Sequence, residues 1–200
     1  MDLRPNEQVI IPNFVQFLRD QQVDAVQEMA EYVGQLFVSP RVGFGRTGYF
    51  IRSSEVAVGA RTSTSSSGGR YGLFYGPVAA NNPSKTSVWI YGLQQNAETR
   101  SNLAFVSLSG GIQEANTYRI DLFDGDTGTK ASTIDKVTLV GERWFQFNNI
   151  LATYAPGVRQ GYARITPTSL ENRFTAYAVI NDGGAPGERT GDGAFITSSP

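Results

Sequence analysis

"ETRSNLAFVSLSG", residues 98–110, is the stretch on which the reading of this chain turns. A polar approach leads into an alternating segment from Asn102 to Leu108, and a Ser-Gly-Gly turn follows it. Apolar and polar residues in strict alternation mark a strand with one buried face. Downstream, "NTYRIDLFD", "KVTLVG", "RWFQFNNIL", "GYARITP", "RFTAYAVIND" and "GAFITSS" repeat the theme, separated by turns rich in Gly, Asn, Pro and Ser. Upstream, "GYFIRSS", "EVAVGARTS", "RYGLFYGPV" and "SVWIYGL" read the same way. In the last, Val88, Ile90 and Gly92 are expected on one face and Trp89 and Tyr91 on the other. Short strands at such spacing predict a mainly β protein, an antiparallel β-sandwich of Ig-like or jelly-roll-like form. One short amphipathic helix is expected over residues 23–37, where Val23, Val26, Met29, Ala30, Val33, Leu36 and Phe37 share a side, to be docked on a sheet.

Composition narrows the chemistry. With charged residues at only 18% and Ser, Thr, Asn and Gly plentiful, the chain suits β-structure with many turns more than a helical bundle or a disordered segment. The net charge is -1 and basic runs are missing, which leaves no electrostatic footprint for nucleic acid. No apolar stretch reaches the length of a membrane span, and "MDLRPNEQV" lacks the basic and apolar regions of a signal peptide. The sequence contains no Cys and no His. Disulfides, thiolate nucleophiles, the commonest general base and most zinc chemistry are thereby excluded.

Internal similarity explains why a strand that reads as an opening sits mid-chain. "LRPNEQVIIPNFV" from Leu3 resembles "LVGERWFQFNNI" from Leu139, and "GYFIRSS" resembles "GYARITP". "VAVGARTS" from Val56 resembles "FTAYAVIN" from Phe174, and "GLFYGP" from Gly72 resembles "GAFITS" from Gly193. The offsets are 135 (Glu7 to Glu142), 113 (Gly48 to Gly161) and 121 (Gly72 to Gly193), in one shared order. Residues 98–200 therefore read as one complete β-module. Residues 1–80 read as a partial one, the C-terminal half of a repeat carrying the inserted helix, and residues 81–97 as a linker and connecting strand. A module lacking opening strands exposes ladder edges. It is expected to be a fragment, to merge with the second half, or to be completed by a strand from another copy.

"LQQNAETRSNLAFVSLSG", "YRIDLFDGDTGT", "LVGERWFQFNNIL" and "FTAYAVINDGG" together resemble a β-sandwich module repeated in large secreted or cell-surface bacterial proteins. "ARTSTSSSGGRYGLFYGPV" is similar to the strand, loop and strand of the same unit. The resemblance covers nearly the whole chain apart from the inserted helix, and its motifs are structural. It implies an extracellular or cell-surface modular β-sandwich of a largely uncharacterised family. The missing His and Cys favour a non-enzymatic structural or assembly role, and the exposed ladder edges favour self-association through β-edges. The expected partners are other copies or modules of the same protein. A glycan- or protein-binding, adhesin-like module is the alternative, and a His-free hydrolase using two carboxylates is a third reading. No nucleic acid, membrane insertion or cofactor is expected.

Asp121, Asp124 and Asp126 in "DLFDGDTGTK" resemble the start of a calcium loop, but the sixth and twelfth positions from Asp124 are Thr129 and Asp135. A hairpin turn is the simpler expectation, with no metal ligand assigned. "GGAPGERTGDG", residues 183–193, lacks the Gly-Lys-Ser/Thr ending of a phosphate loop and reads as a surface loop, and "STSSSGG" as a flexible connector. Glu98, Glu114, Glu142 and Glu171 are the carboxylates from which a hydrolase would draw its acid pair, though their spacing assigns no catalytic residue. Tyr71, Phe74, Tyr75, Trp89, Tyr91, Trp144, Phe145 and Phe147 form an aromatic set expected mostly in the core. One ring of each adjacent pair should face outward, to seal a subunit contact in preference to stacking on a sugar.

Overall fold

A computed structural model describes residues 7–23, 26, 36, 38, 57–66, 69–77, 84–108, 114–169, 173–182 and 193–199. The chain forms two units, Met1–Val56 and Ala57–Pro200. The first contains α1 (Phe14–Asp20), which starts where Pro12 ends the extended approach. The Asn13 side chain accepts from the Gln16 amide at 3.0 Å, an N-cap of the ordinary kind. Arg19 lies in the last turn, where a cation complements the helix dipole. The helix expected over 23–37 falls almost wholly outside the described residues, as does "GYFIRSS".

The second unit begins with a hairpin, β1 (Ala60–Ser66) and β2 (Gly69–Tyr75), paired from Ala60↔Tyr75 to Ser66↔Gly69. Residues 63–66 and Gly69 of the "STSSSGG" stretch thus lie in paired strands, not in a loose connector. Eight more strands follow: β3 (Val88–Gln94), β4 (Thr99–Ser107), β5 (Ala115–Asp124), β6 (Lys130–Val140), β7 (Trp144–Phe147), β8 (Gln160–Pro167), β9 (Phe174–Asp182) and β10 (Ala194–Thr197). A one-turn helix, α2 (Ile150–Tyr154), fills the corner after β7. Sheet I has the order β10-β9-β4-β7 and sheet II the order β3-β8-β5-β6, with every neighbour antiparallel. The protein is a β-sandwich. β3, from the stretch 81–97, is a full strand of sheet II.

The core lies between the sheets. Sheet I sends in Leu103, Phe105, Phe147, Phe174, Ala176 and Ala178; sheet II answers with Ile90, Leu93, Tyr118, Ile120, Leu122, Ala163 and Ile165. Tyr118 joins the layers, its ring edge-on to Phe105 at 5.0 Å and to Phe174 at 5.3 Å. Ile150 and Leu151 of α2 are fully buried at one end. Each fully buried side chain of this size is worth about 1.5–3 kcal/mol.

Two irregularities adjust strand parity. At β3, Tyr91 and Gly92 lie in a bulge between the pairs Ile90↔Ala163 and Leu93↔Gly161, and Gly92 has φ +80°. Gly92 is consequently exposed, not on the Val88–Ile90 face, and Leu93 returns to the core instead. At β6, Asp135 and Lys136 lie between the pairs Tyr118↔Val137 and Ile120↔Ile134, with Lys136 at φ +56°.

Gly161 is a point where the sandwich admits no side chain. A Cβ there would meet the Phe123 carbonyl at 2.6 Å and Leu151 and Val158 at 3.3 Å. Gly161→Ala is expected to lower unfolding free energy by roughly 2 kcal/mol or more through overpacking, shifting the urea midpoint with m unchanged. Gly76→Ala, with nothing within 4 Å of the new carbon, should stay within about 0.5 kcal/mol of wild type.

Candidate functional site

The outer face of sheet II carries the densest side-chain chemistry among the described residues. Because β5 points Tyr118, Ile120 and Leu122 inward, Arg119, Asp121 and Phe123 must point out. Register then aligns them with their neighbours in transverse rows. One row runs Trp89, Arg164, Asp121, Thr133 across β3, β8, β5 and β6. The next holds Tyr91 at the bulge, then Tyr162, Phe123 and Lys130.

Asp121 sits at the centre of the first row with its side chain only 1% exposed, although it lies on the outer face. Arg164 Nη2 reaches it at 2.7 Å, Arg119 Nε at 3.1 Å and the Thr133 hydroxyl at 2.7 Å, with Lys130 Nζ at 3.7 Å. Burial alone would raise its pKa. The hydrogen bonds from Arg164, Thr133 and Arg119, together with the Arg119 charge, outweigh burial and hold it at about 2. The Arg164 guanidinium also lies 5.4 Å from the centre of the Trp89 ring and 5.9 Å from that of Phe123.

In the second row the rings stack on one another. Phe123 and Tyr162 are parallel within 3° at 4.9 Å, and Tyr91 follows Tyr162 at 5.6 Å. Trp89 stacks on Tyr91 at 6.1 Å and 10°. Trp89, Phe123 and Tyr162 are half-buried by this arrangement, while Tyr91 remains 54% exposed.

The outer face of sheet I is organised differently. Trp144 Nε1 donates to the Tyr177 hydroxyl at 2.8 Å, bridging β7 and β9 over the small outward residues of β4, Ala104 and Val106. Tyr75 of the hairpin packs edge-on against Phe195 at 5.5 Å and Tyr177 at 6.3 Å. Leu73 comes to 3.6 Å from where a Gly193 Cβ would stand.

The aromatic set expected in the core is therefore mostly elsewhere. Of its described side chains only Phe147 is buried; Phe74, Tyr91 and Phe145 are exposed and Tyr75, Trp89 and Trp144 half-buried. The core aromatics are Phe105, Tyr118 and Phe174, which alternation in "NLAFVSL", "NTYRIDLFD" and "RFTAYAVIND" identifies once the inward parity is known. Phe123, Tyr162 and Arg164 were missed as surface partners of Trp89, since register across non-consecutive strands leaves no trace in a single sequence.

The three aspartates are not brought together as a ligand set. Asp124 accepts from the Asp126 and Thr127 amides, both at 2.9 Å, and its carbonyl accepts from Gly128 at 2.8 Å. Donation from the Thr127 amide, foremost, depresses the Asp124 pKa. Asp121 is committed to its cations, and no cluster of three metal-ligating residues occurs among the described residues. Glu98 precedes β4, while the Glu114 carbonyl accepts from the Gly141 amide at 2.9 Å, beside Glu142, near the strand's far end. Glu98 therefore forms no acid pair with the other two. Glu171 and residues 183–192 of the Gly-rich loop lie outside the described residues. No protein-family model matches the chain, and neither does any curated protein or solved structure.

The folded pKa of Asp121 lies below the unfolded value, so its stabilisation is present above about pH 4 and is lost as pH falls toward 2. With half-exposed cations as partners, about 1–2 kcal/mol is expected over that window. Urea denaturation of wild type and Asp121→Asn at pH 5, 3 and 2 should show the stability gap narrowing by that amount. A constant gap would mean that Asp121 is not held as a low-pKa carboxylate.

Proposed function

We propose that the chain is a non-enzymatic structural and assembly module of a bacterial surface or secreted protein, acting outside the cell and associating with copies of itself. The observation that carries this reading is a correspondence between two hairpins. Aligning "VAVGARTS" with "FTAYAVIN" equates Ala60 with Ala178, and aligning "GLFYGP" with "GAFITS" equates Tyr75 with Ile196. Ala60 pairs with Tyr75 and Ala178 pairs with Ile196. The next two pairs agree as well: Arg61↔Phe74 with Val179↔Phe195, and Thr62↔Leu73 with Ile180↔Ala194. Asn13 and Asn149 both precede helices, but only Asn13 caps with its side chain, and Asn149 lies at φ +49°. The correspondence stops at "QVII", which is not a strand where its counterpart forms β7.

The manner in which the first hairpin is held favours exchange between copies. β1 and β2 form a sheet of their own, with no ladder to sheet I. Among the described side chains, Tyr75 packs on Tyr177 and Phe195, and Leu73 lies beside Gly193. Burying two such side chains is worth about 3–6 kcal/mol at most. A tethered arm competes with a neighbour's at an effective concentration on the order of mM. Folding back prevails in dilute solution, and exchange gains where copies are crowded on a surface or joined in tandem.

The absence of native Cys makes a background-free test. Tyr75→Cys and Phe195→Cys variants, mixed in equal amounts at high concentration and oxidised, are expected to form a mixed disulfide dimer on a non-reducing gel. Dilution before oxidation should suppress it. Mixtures that remain monomeric at every concentration would overturn assembly by hairpin exchange.

A further inference from the structure

We propose that the outer face of sheet II is a binding site for an uncharged saccharide, with Tyr91 as the stacking platform and Trp89 packed behind it. A pyranose ring presents C–H bonds on its faces and hydroxyls around its rim, so it needs an aromatic surface flanked by fixed donors and acceptors. Both are present. Tyr91, Tyr162 and Phe123 follow one another across three strands at 5.6 and 4.9 Å. Arg164 and Lys130 stand beside them, with side chains 38% and 45% exposed. Their positions are fixed before any ligand arrives, because both cations converge on the buried Asp121.

Charge selects an uncharged occupant. The cations Arg119, Lys130 and Arg164 are set against Asp121 and Asp135 on the face and Asp124 and Asp126 in the adjoining turn. Neither sign dominates, so neither a polyanion nor a polycation is drawn in. Size argues against a second copy of the chain. A stable protein contact buries about 800 Å² per partner around well-exposed anchors. Of the rings here only Tyr91 is more than half exposed; the other three are largely covered by one another and by Arg164. A sugar needs only the one open ring, Tyr91, and the adjoining cations.

Native gels containing hydroxyethylcellulose, glucomannan, dextran or galactomannan, with alginate as the anionic comparison, provide the test. Retarded migration is expected in at least one neutral gel and not in alginate. Tyr91→Ala, at an exposed position, should weaken the retardation at least tenfold, and Tyr91→Phe should restore it. Trp89 and Trp144 are the only tryptophans, so Trp144→Phe leaves emission that reports Trp89 alone. Its quenching by the same polysaccharide is expected. The proposal is overturned if every neutral gel leaves migration unchanged, if Tyr91→Ala is retarded as strongly as wild type, or if alginate retards the chain instead. Dissociation of a wild-type dimer by Tyr91→Ala would overturn it in favour of a contact between copies. Hairpin exchange between copies would stand or fall separately.

Discussion

The inward parity of β5 is the constraint from which most of this structure follows. Tyr118 reaches from sheet II between Phe105 and Phe174 of sheet I, and it is fully buried there. A strand alternates with a period of two, so this one placement also fixes Ile120 and Leu122 inward and Arg119, Asp121 and Phe123 outward. A slip of one residue would drive a carboxylate and a guanidinium into the space between the sheets, which no apolar contact offsets. The same parity supplies the core and the charged, aromatic outer face together. β5 is central in sheet II, paired to β8 and β6, so its register is passed to both neighbours.

Sequence pattern revealed the strands wherever one face is dry and the other wet. "NLAFVSL", "NTYRIDLFD", "GYARITP" and "RFTAYAVIND" each correspond to a strand of the sandwich. β6 was read only from Lys136, because its first half is exposed or half-buried along both faces and offers no alternation to detect. The face of β3 departs from simple alternation beyond Ile90, since a bulge resets parity without altering composition. Gly92 was the available signal, as an isolated glycine within a strand often marks a bulge. The start of α1 was likewise written in Pro12 and Asn13, a punctuating proline and an N-cap. It was obscured by a short apolar run that suits a strand equally well.

The surface chemistry was much less legible, for a geometric reason. Trp89 and Tyr91 are two residues apart and could be read as neighbours. Their partners Tyr162, Arg164, Phe123 and Asp121 lie 30 to 75 positions downstream. Bringing them together requires the order β3-β8-β5, in which no two adjacent strands are consecutive in the chain. Nothing in a single sequence encodes that order. The two hairpins of similar sequence, β1–β2 and β9–β10, are the opposite case. Each is local and its strands consecutive, so similarity along the chain carries the pairing with it.

The two outer faces meet the same difficulty in different ways. Where a sheet's second face meets water, outward side chains must be kept from leaving an apolar surface there. Sheet I does this with covers: the Trp144–Tyr177 bridge spans the small residues of β4, and Leu73 and Tyr75 rest on β9 and β10. Sheet II uses a charged row instead. Asp121 draws Arg164, Arg119 and Lys130 inward, and Arg164 in turn lies over the faces of Trp89 and Phe123. Removing Asp121 would therefore do more than delete one ion pair. It would release the cations that shield the rings and leave them mutually repelling on one face. The carboxylate is buried on the outside of the sheet because it holds together a polar layer one side chain thick, and the bulge at Tyr91 marks where that layer ends.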